Sequence, residues 1–392
     1  MAASTSLLNM RVLHVITDLD VGGAETMLLR LLACRHDWDP LVLSVQEPGT
    51  MGQRIADLGV PVHSLGVRRS RPNPLRALAI RGVARNSRPQ IIQGWMYHGN
   101  LAASLAGRFQ LGKVPVIWNI RHSLYDIRRE RRLTAAFIRL GARLSRHTTA
   151  IIYNSRIGAQ QHEAVGYCEA RRVIIPNGFD CSSFRPDEVA RREVRAELRV
   201  ERDQCLIGLV ARFHPMKDHA AFLRAAGEVA RRHAGVKFVL VGRGIKEQPE
   251  LVQLIRDMQL QDRVFLLGER ADTSRLTAAI DIACSASAWG EGFSNAIGEA
   301  MACGVPCVVT DVGENAHLVA DTGLVAPPQD PQAFGDAIHK LIEAGQAQRR
   351  QLGAAARRRI ESEFSLPVVA RRYDELYRAC LDSEGSASDS SA

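Results

Sequence analysis

Short apolar, β-branched runs alternate with longer amphipathic stretches along almost the whole of this 392-residue chain. In the first half the runs are Arg11–Thr17, Pro40–Val45, Pro61–Leu65, Pro89–Gln93, Val114–Ile120, Ala150–Tyr153 and Arg172–Ile175. In the second half they are Cys205–Val210, Val236–Val241, Arg263–Leu267, Ile280–Cys284, Pro306–Val309 and Gly323–Val325. Strands that take turns with helices make βαβ units, and these build parallel sheets. The polar segment Phe179–Asp203 separates the two series, and 392 residues exceed one ordinary core. Two doubly wound α/β domains facing each other across a cleft are therefore expected, over 1–183 and 184–365. Ligands on such sheets bind beyond the carboxyl ends of the strands. A last helical stretch, Leu366–Leu381, follows, and the Ser- and Asp-rich residues 382–392 read as a disordered tail.

Bulk properties remove several classes of function. No uncharged apolar run reaches the roughly 18 residues of a membrane span. Met1–Asn9 has no basic residue ahead of a long apolar core, so it does not read as a signal peptide. A reducing cytosol is then expected, with all eight cysteines free. Cys303 and Cys307 have no nearby His or Cys partner, so no zinc site is expected. The formal charge of +9 favours an anionic partner. Nucleic acid ranks last, because aromatics to interleave with the cations make up only 5%.

The chemistry gathers after strand ends. Glu291 and Glu299 flank Gly292-Phe293-Ser294-Asn295, a Gly-containing turn running into a small-residue helix. Helix-start amides can meet phosphates there, and carboxylates can accept from hydroxyls. Arg212 and Lys217, around Pro215, follow the first strand of the second series and can converge on one diphosphate. Gly22 and Gly23 follow the first strand of the chain and allow close approach to an anion. The acids just before them, Asp18 and Asp20, precede a phosphate-type turn, and no metal is expected there. His98 and His122 each follow a strand, outside any apolar pattern, and should project into the cleft. Arg128–Arg146 reads as one amphipathic helix, with Leu133, Phe137, Leu140 and Leu144 on one face and five Arg on an adjacent one. It is either a packed helix with a solvated Arg face or a dock for an anionic membrane.

Taken in order, Gly22-Gly23-Ala24-Glu25, Ile175–Asp180, Ala211-Arg212 with Lys217, Val241–Gly244, Glu291–Gly304, Asp311–Asn315 and Asp321–Val325 resemble the retaining glycosyltransferases of family 4. The resemblance implies the GT-B fold, with an acceptor domain of Rossmann type first and a nucleotide-sugar domain second. It implies that Arg212 and Lys217 hold the diphosphate of a nucleoside diphosphate sugar (UDP or GDP), and that Glu299 binds its ribose. Glu291, with Gly292 to Asn295, would contact the donor sugar. His122 would be the active-site histidine, Gly22 and Gly23 would lie near the phosphates, and the last helix would pack back on the first domain; His98, from its place after a strand alone, is expected on the acceptor side. The basic stretch 128–146 suggests an acceptor that is a glycan or lipid-linked glycan at the cytoplasmic membrane face, and beyond the donor sugar no cofactor or metal is expected. Three positions depart from the family pattern: Ala211 where Gly is common, Arg243 where Asp is common, and Arg121 before His122. Two alternatives stay open, a nucleotide-sugar epimerase of the same fold and a non-catalytic protein that binds anions or membranes.

Overall fold

The computed structural model describes residues 9–20, 22–34, 37–67 and 76–389. Val21 and the expected absence of a leader over residues 1–8 fall outside them. The chain divides into two compact units, one of residues 1–178 with 366–392, the other of 179–365.

The first unit holds a seven-stranded sheet in the order β3-β2-β1-β4-β5-β6-β7. Its strands are β1 (Met10–Ile16), β2 (Trp38–Ser44), β3 (Val62–Ser64), β4 (Ile91–Trp95), β5 (Val116–Ile120), β6 (Ala150–Tyr153) and β7 (Arg172–Ile174). All pair in parallel. Along β1, Val12 and Ile16 enter one apolar cluster while Leu13 and Val15 enter another. Burial on both faces is why a parallel strand reads as a nearly unbroken apolar run. The helix Leu366–Asp389 belongs to this unit, and its Val369, Tyr373 and Tyr377 join the Val12 cluster.

The second unit holds a six-stranded parallel sheet in the order β10-β9-β8-β11-β12-β13. Its strands are β8 (Cys205–Val210), β9 (Val236–Val241), β10 (Val264–Gly268), β11 (Ile282–Ser285), β12 (Cys307–Thr310) and β13 (Gly323–Ala326). In each sheet the strand order reverses once, between β1 and β4 and between β8 and β11. Loops leaving the two strands on either side of such a switch point diverge and leave a crevice. Among the described residues no helix is long and apolar enough to cross a membrane, and all eight cysteines are free thiols.

Three expectations need correction. The tail is not disordered from residue 382: the last helix continues to Asp389, since each residue added to a formed helix closes one more backbone bond. The stretch 128–146 is not one helix. Asp126 accepts the Arg128 amide and closes a single 3-10 turn over Ile127–Arg129; Glu130 and Arg131 are extended, and the helix starts only at Arg132. That helix, Arg132–Leu144, also buries a different face: Ala135, Ile138, Gly141 and Ala142 are covered, while Leu133 and Leu140 are 75% and 43% exposed. Finally, His98 is not outside a helix. Strand β4 ends at Trp95, which is itself the N-cap of the helix Met96–Arg108, so no loop intervenes.

Candidate active site

In the second unit, the loops after β8 and β11 carry the predicted cations and acids. The β8 loop is held from the side by the turn after β9. Ala211 N–H bonds to the Val241 carbonyl and Phe213 N–H to the Arg243 carbonyl, both at 2.8 Å. A side chain at Gly242 would meet the Ala211 carbonyl at 2.0 Å, so only glycine lets the two loops approach this closely. Arg243 serves this contact through its backbone carbonyl. Met216 then accepts from the Ala288 amide at 2.8 Å, which ties the β8 loop to the β11 loop.

Across that tie, Lys217 Nζ donates to Glu291 Oε2 at 2.5 Å, and Ser287 Oγ donates to the same oxygen at 2.8 Å. Glu291 is buried. Burial alone would raise its carboxyl, but the charge and hydrogen bond of Lys217, the Ser287 bond and the Arg212 charge together hold it below the ordinary Glu value. Arg212 itself is exposed, and its guanidinium makes no hydrogen bond among the described residues. Behind Lys217 the buried His219 is pushed down to about 4, by burial first and then by the Lys217 charge.

The acidic loop leads into the helix Asn295–Ala302, which Ser294 precedes without capping it. The helix-start amides are therefore not taken up by that side chain. Phe293 is a core residue: its ring stacks on Phe179 at 6.1 Å and lies 5.5 Å from Phe364, so only its backbone can face a ligand. Glu299 is half-buried in the second turn of the helix.

In the first unit, Gly22 is the N-cap of the helix Gly23–Ala33, and the Glu25 carboxylate folds back over it. A side chain on Gly22 would meet Glu25 Oε2 at 2.2 Å, an approach typical of a residue in the third helical position reaching for its cap. Glu25 is raised to about 7, chiefly by burial and further by the charges of Asp18 and Asp20. The sign follows from linkage. The unfolded chain ionises first, so this residue costs stability as the pH rises from the ordinary value of 4.5 to about 7. Glu25→Gln should melt at a higher temperature than the parent at neutral pH, with the difference vanishing below pH 4.5. A difference that stays constant across the range would remove Glu25 as its source.

His122 leaves the end of β5 and sits in a relay that the sequence did not show. His162 Nδ1 lies 2.7 Å from the Gly158 carbonyl, which can only accept, so Nδ1 carries the proton. His162 Nε2 then accepts from the Tyr97 hydroxyl at 2.9 Å, and the Tyr97 oxygen accepts from His122 Nδ1 at 3.0 Å. Neutral His122 therefore presents its lone pair at Nε2, 3.6 Å from Glu130 Oε1. Burial holds His122 below the ordinary imidazole value, against the opposing pull of Glu130. His162 is pushed down to about 4 by burial, so it stays neutral. Arg121 turns inward: it donates to Asn119 at 3.3 Å, to Tyr373 at 3.0 Å and to Asn177, and lies over the Trp95 ring. A small residue there would lose that anchor, and His122 leaves from a fixed backbone. His98 is the third residue of its helix, its ring 4.3 Å from that of Phe137.

The structure thus joins Lys217, Glu291 and the charge of Arg212 in one unit, and holds His122 and Gly22-Gly23 on separate loops of the other. Ser287, Tyr97 and His162 were not singled out from sequence, and Arg121 was noted only as a departure from the family pattern. Ser287, Tyr97 and Arg121 each stand just past a strand end, a signal too common to read unaided, and His162 lies inside the helix Arg156–Ala164.

Residues 21–183 match the family described as Glycosyltransferase Family 4, and residues 204–344 the one described as Glycosyl transferases group 1. EpsF of Bacillus subtilis is 27% identical over 93% of this chain and 98% of its own length. The Escherichia coli UDP-Gal:alpha-D-GlcNAc-diphosphoundecaprenol alpha-1,3-galactosyltransferase is 29% identical over 43% of this chain and 45% of that one. The crystal structure of Anabaena HepE in complex with UDP superimposes with a TM-score of 0.83 at 22% identity, over 94% of this chain and all of that one. With both units matched and the fold shared along nearly its full length, the chain belongs to the family 4 glycosyltransferases and has their two-domain GT-B architecture.

Proposed function

We propose that this glycosyltransferase moves a sugar from a nucleoside diphosphate sugar, with UDP or GDP as the carrier, to an acceptor hydroxyl with retention of anomeric configuration. The observation that carries this is the Lys217–Glu291–Ser287 constellation beside exposed Arg212, at the switch point of the second sheet. A leaving diphosphate needs fixed positive charge, which Arg212, Lys217 and the amides at Asn295 can supply without metal. The diphosphate carries more charge than one carboxylate, so its arrival draws Lys217 away and frees Glu291 for sugar hydroxyls. Gly292 to Asn295 would line the sugar with their backbone, Glu299 would take the ribose, Gly22 and Gly23 would lie near the phosphates, and His98 would lie on the acceptor side. His122 would accept from a substrate hydroxyl at Nε2. No side chain takes the part of a covalent nucleophile; the leaving phosphate deprotonates the acceptor on the same face, and a trapped glycosyl-enzyme would refute that step.

UDP as carrier is supported by Anabaena HepE, solved with UDP and with UDP-glucose. Calorimetric titration with UDP, GDP, ADP and NAD tests it. One nucleoside diphosphate should bind the parent and not Arg212→Ala; binding of NAD alone, or of nothing, would sink the reading. An epimerase would alter the sugar of its donor with no acceptor present, which product analysis distinguishes.

The acceptor is a polysaccharide precursor or lipid-linked glycan at the cytoplasmic face of a membrane. The Escherichia coli relative is named for a diphosphoundecaprenol acceptor. In this chain Leu133 and Leu140 stand exposed on the helix that also exposes Arg132, Arg139 and Arg143. Apolar side chains beside cations suit an anionic bilayer surface, each cation contributing about 1 kcal/mol. Changing the three Arg to Glu should release the protein from anionic vesicles, and unchanged sedimentation with them would make the helix purely structural.

A further inference from the structure

Far from the sugar-transfer site, the second unit brings together two imidazoles and a carboxylate. His233 closes the helix His219–Arg232: its N–H bonds to the Val229 carbonyl, and its own carbonyl accepts from Arg263 Nη1 at 3.0 Å. His339 and Glu343 lie four residues apart on the helix Pro331–Glu343, hence on one face of it. His233 Nε2 is 2.8 Å from His339 Nδ1 and 3.8 Å from Glu343 Oε1, and the three donor atoms lie within 4.8 Å of one another. Among the described residues this is the only such group of three.

We propose that His233, His339 and Glu343 form a binding site for a divalent transition cation of the zinc class. The ligands are Nε2 of His233, Nδ1 of His339 and one oxygen of Glu343, with water in the open position. Two imidazole nitrogens and one carboxylate favour zinc and its neighbours over magnesium or calcium, which prefer all-oxygen shells. Zinc bonds of about 2.0–2.2 Å in a tetrahedron put neighbouring ligand atoms about 3.3–3.5 Å apart. The nitrogen pair therefore opens by about half an ångström from its 2.8 Å hydrogen bond, and the carboxylate closes by a similar amount from 3.8 Å. The side chains can do this. Glu343 is 62% exposed and free to swing, whereas His233, 15% exposed, is held in place.

The framework is already assembled around the site. The two helices already meet at Gly335, where a side chain would make ordinary contact with the Ala225 carbonyl at 3.5 Å. One turn before His339, Asp336 accepts from Arg232 at 2.8 Å, which pairs that cation and links the same two helices. A bound ion would add a third link at their ends. The helix that starts beside Lys217 runs 14 residues to His233, so the ion would sit about 21 Å from the diphosphate site along that axis. The site therefore serves stability or sensing rather than transfer, and it does not depend on the donor assignment.

The test uses the metal-stripped full chain at pH 7.5, titrated calorimetrically with ZnCl2 and, in parallel, MgCl2, with melting temperature as a second readout. One equivalent of zinc should bind and raise the melting temperature, and magnesium should do neither. His339→Ala should bind zinc at least about tenfold more weakly, and Glu343→Gln, altered at an exposed residue, should lose the thermal shift. His147→Ala, an exposed histidine of the first unit, should match the parent. The half-buried thiols Cys34, Cys168 and Cys181 survive in all three variants. Undiminished zinc binding by His339→Ala and Glu343→Gln would assign the metal to those thiols and overturn the proposal, as would no saturable binding by the parent.

Discussion

Lys217→Ala should lower the rate of sugar transfer about 10²–10³-fold, the usual effect of removing one fixed group that stabilises charge developing in a transition state. It should also destabilise the folded chain. Glu291 would then be a buried carboxylate with only Ser287 as a direct partner, and breaking one side of a buried pair costs about 3 kcal/mol or more. The pH dependence separates the two effects. The Glu291 carboxyl is held below its ordinary value of 4.5, so its contribution is present above that pH and lost as the pH falls through the lower, folded-state value. The gap in melting temperature between parent and Lys217→Ala should therefore close in acid. Adding Glu291→Gln to Lys217→Ala should recover stability and not activity, a non-additivity of about 0.5–3 kcal/mol in a double-mutant cycle. A gap that persists at low pH, with additive losses, would mean that the ion pair plays no part in the site.

Gly313→Ala should be nearly as damaging, although Gly313 has no functional group. It lies in the loop after β12 at φ +65°, and a Cβ there would fall 1.9 Å from the Glu291 carbonyl oxygen. The neighbouring Glu314 amide bonds to the Gly292 carbonyl at 3.0 Å, so this loop is the backing on which the acidic turn rests. Two penalties combine: a left-handed conformation costing about 1–2 kcal/mol for a residue with Cβ, and a backbone clash relieved only by moving Glu291. A shift of about 1 Å at a reacting group can cost 10²-fold in rate. Gly59→Ala is the control, since Gly59 has φ +82° and a Cβ there would meet nothing within 4 Å. It should lose about 1–2 kcal/mol and keep full turnover. Equal turnover in the two variants would show that the loop does not position Glu291.

Much of the site was legible because its residues follow strand ends, and the strands were legible. Val236–Val241 and Ala150–Tyr153 were read to the residue, since a parallel strand buried on both faces leaves an apolar run with polar or Gly punctuation. Arg212, Lys217 and Glu291 stand in the loops after β8 and β11, and βαβ logic places those loops on one sheet edge. The helix Arg132–Leu144 shows the limit. Its Leu stripe and its buried stripe are both helical in period, and periodicity cannot say which of two apolar faces a neighbour covers.

By itself, the order of apolar runs, glycines and charges determined that the chain forms two parallel α/β sheets with cations and acids at their carboxyl edges. Burial period and backbone freedom are properties of local sequence. Only the tertiary structure decided that Lys217 bonds to Glu291, 74 residues on, that Tyr97 meets His162, 65 residues on, and passes that histidine's tautomer on to His122, and that His233 meets His339, 106 residues on. Each pairing depends on which loops and helix ends the crossovers bring within about 3 Å of one another, the reach of a hydrogen bond. No spacing along the chain encodes that distance.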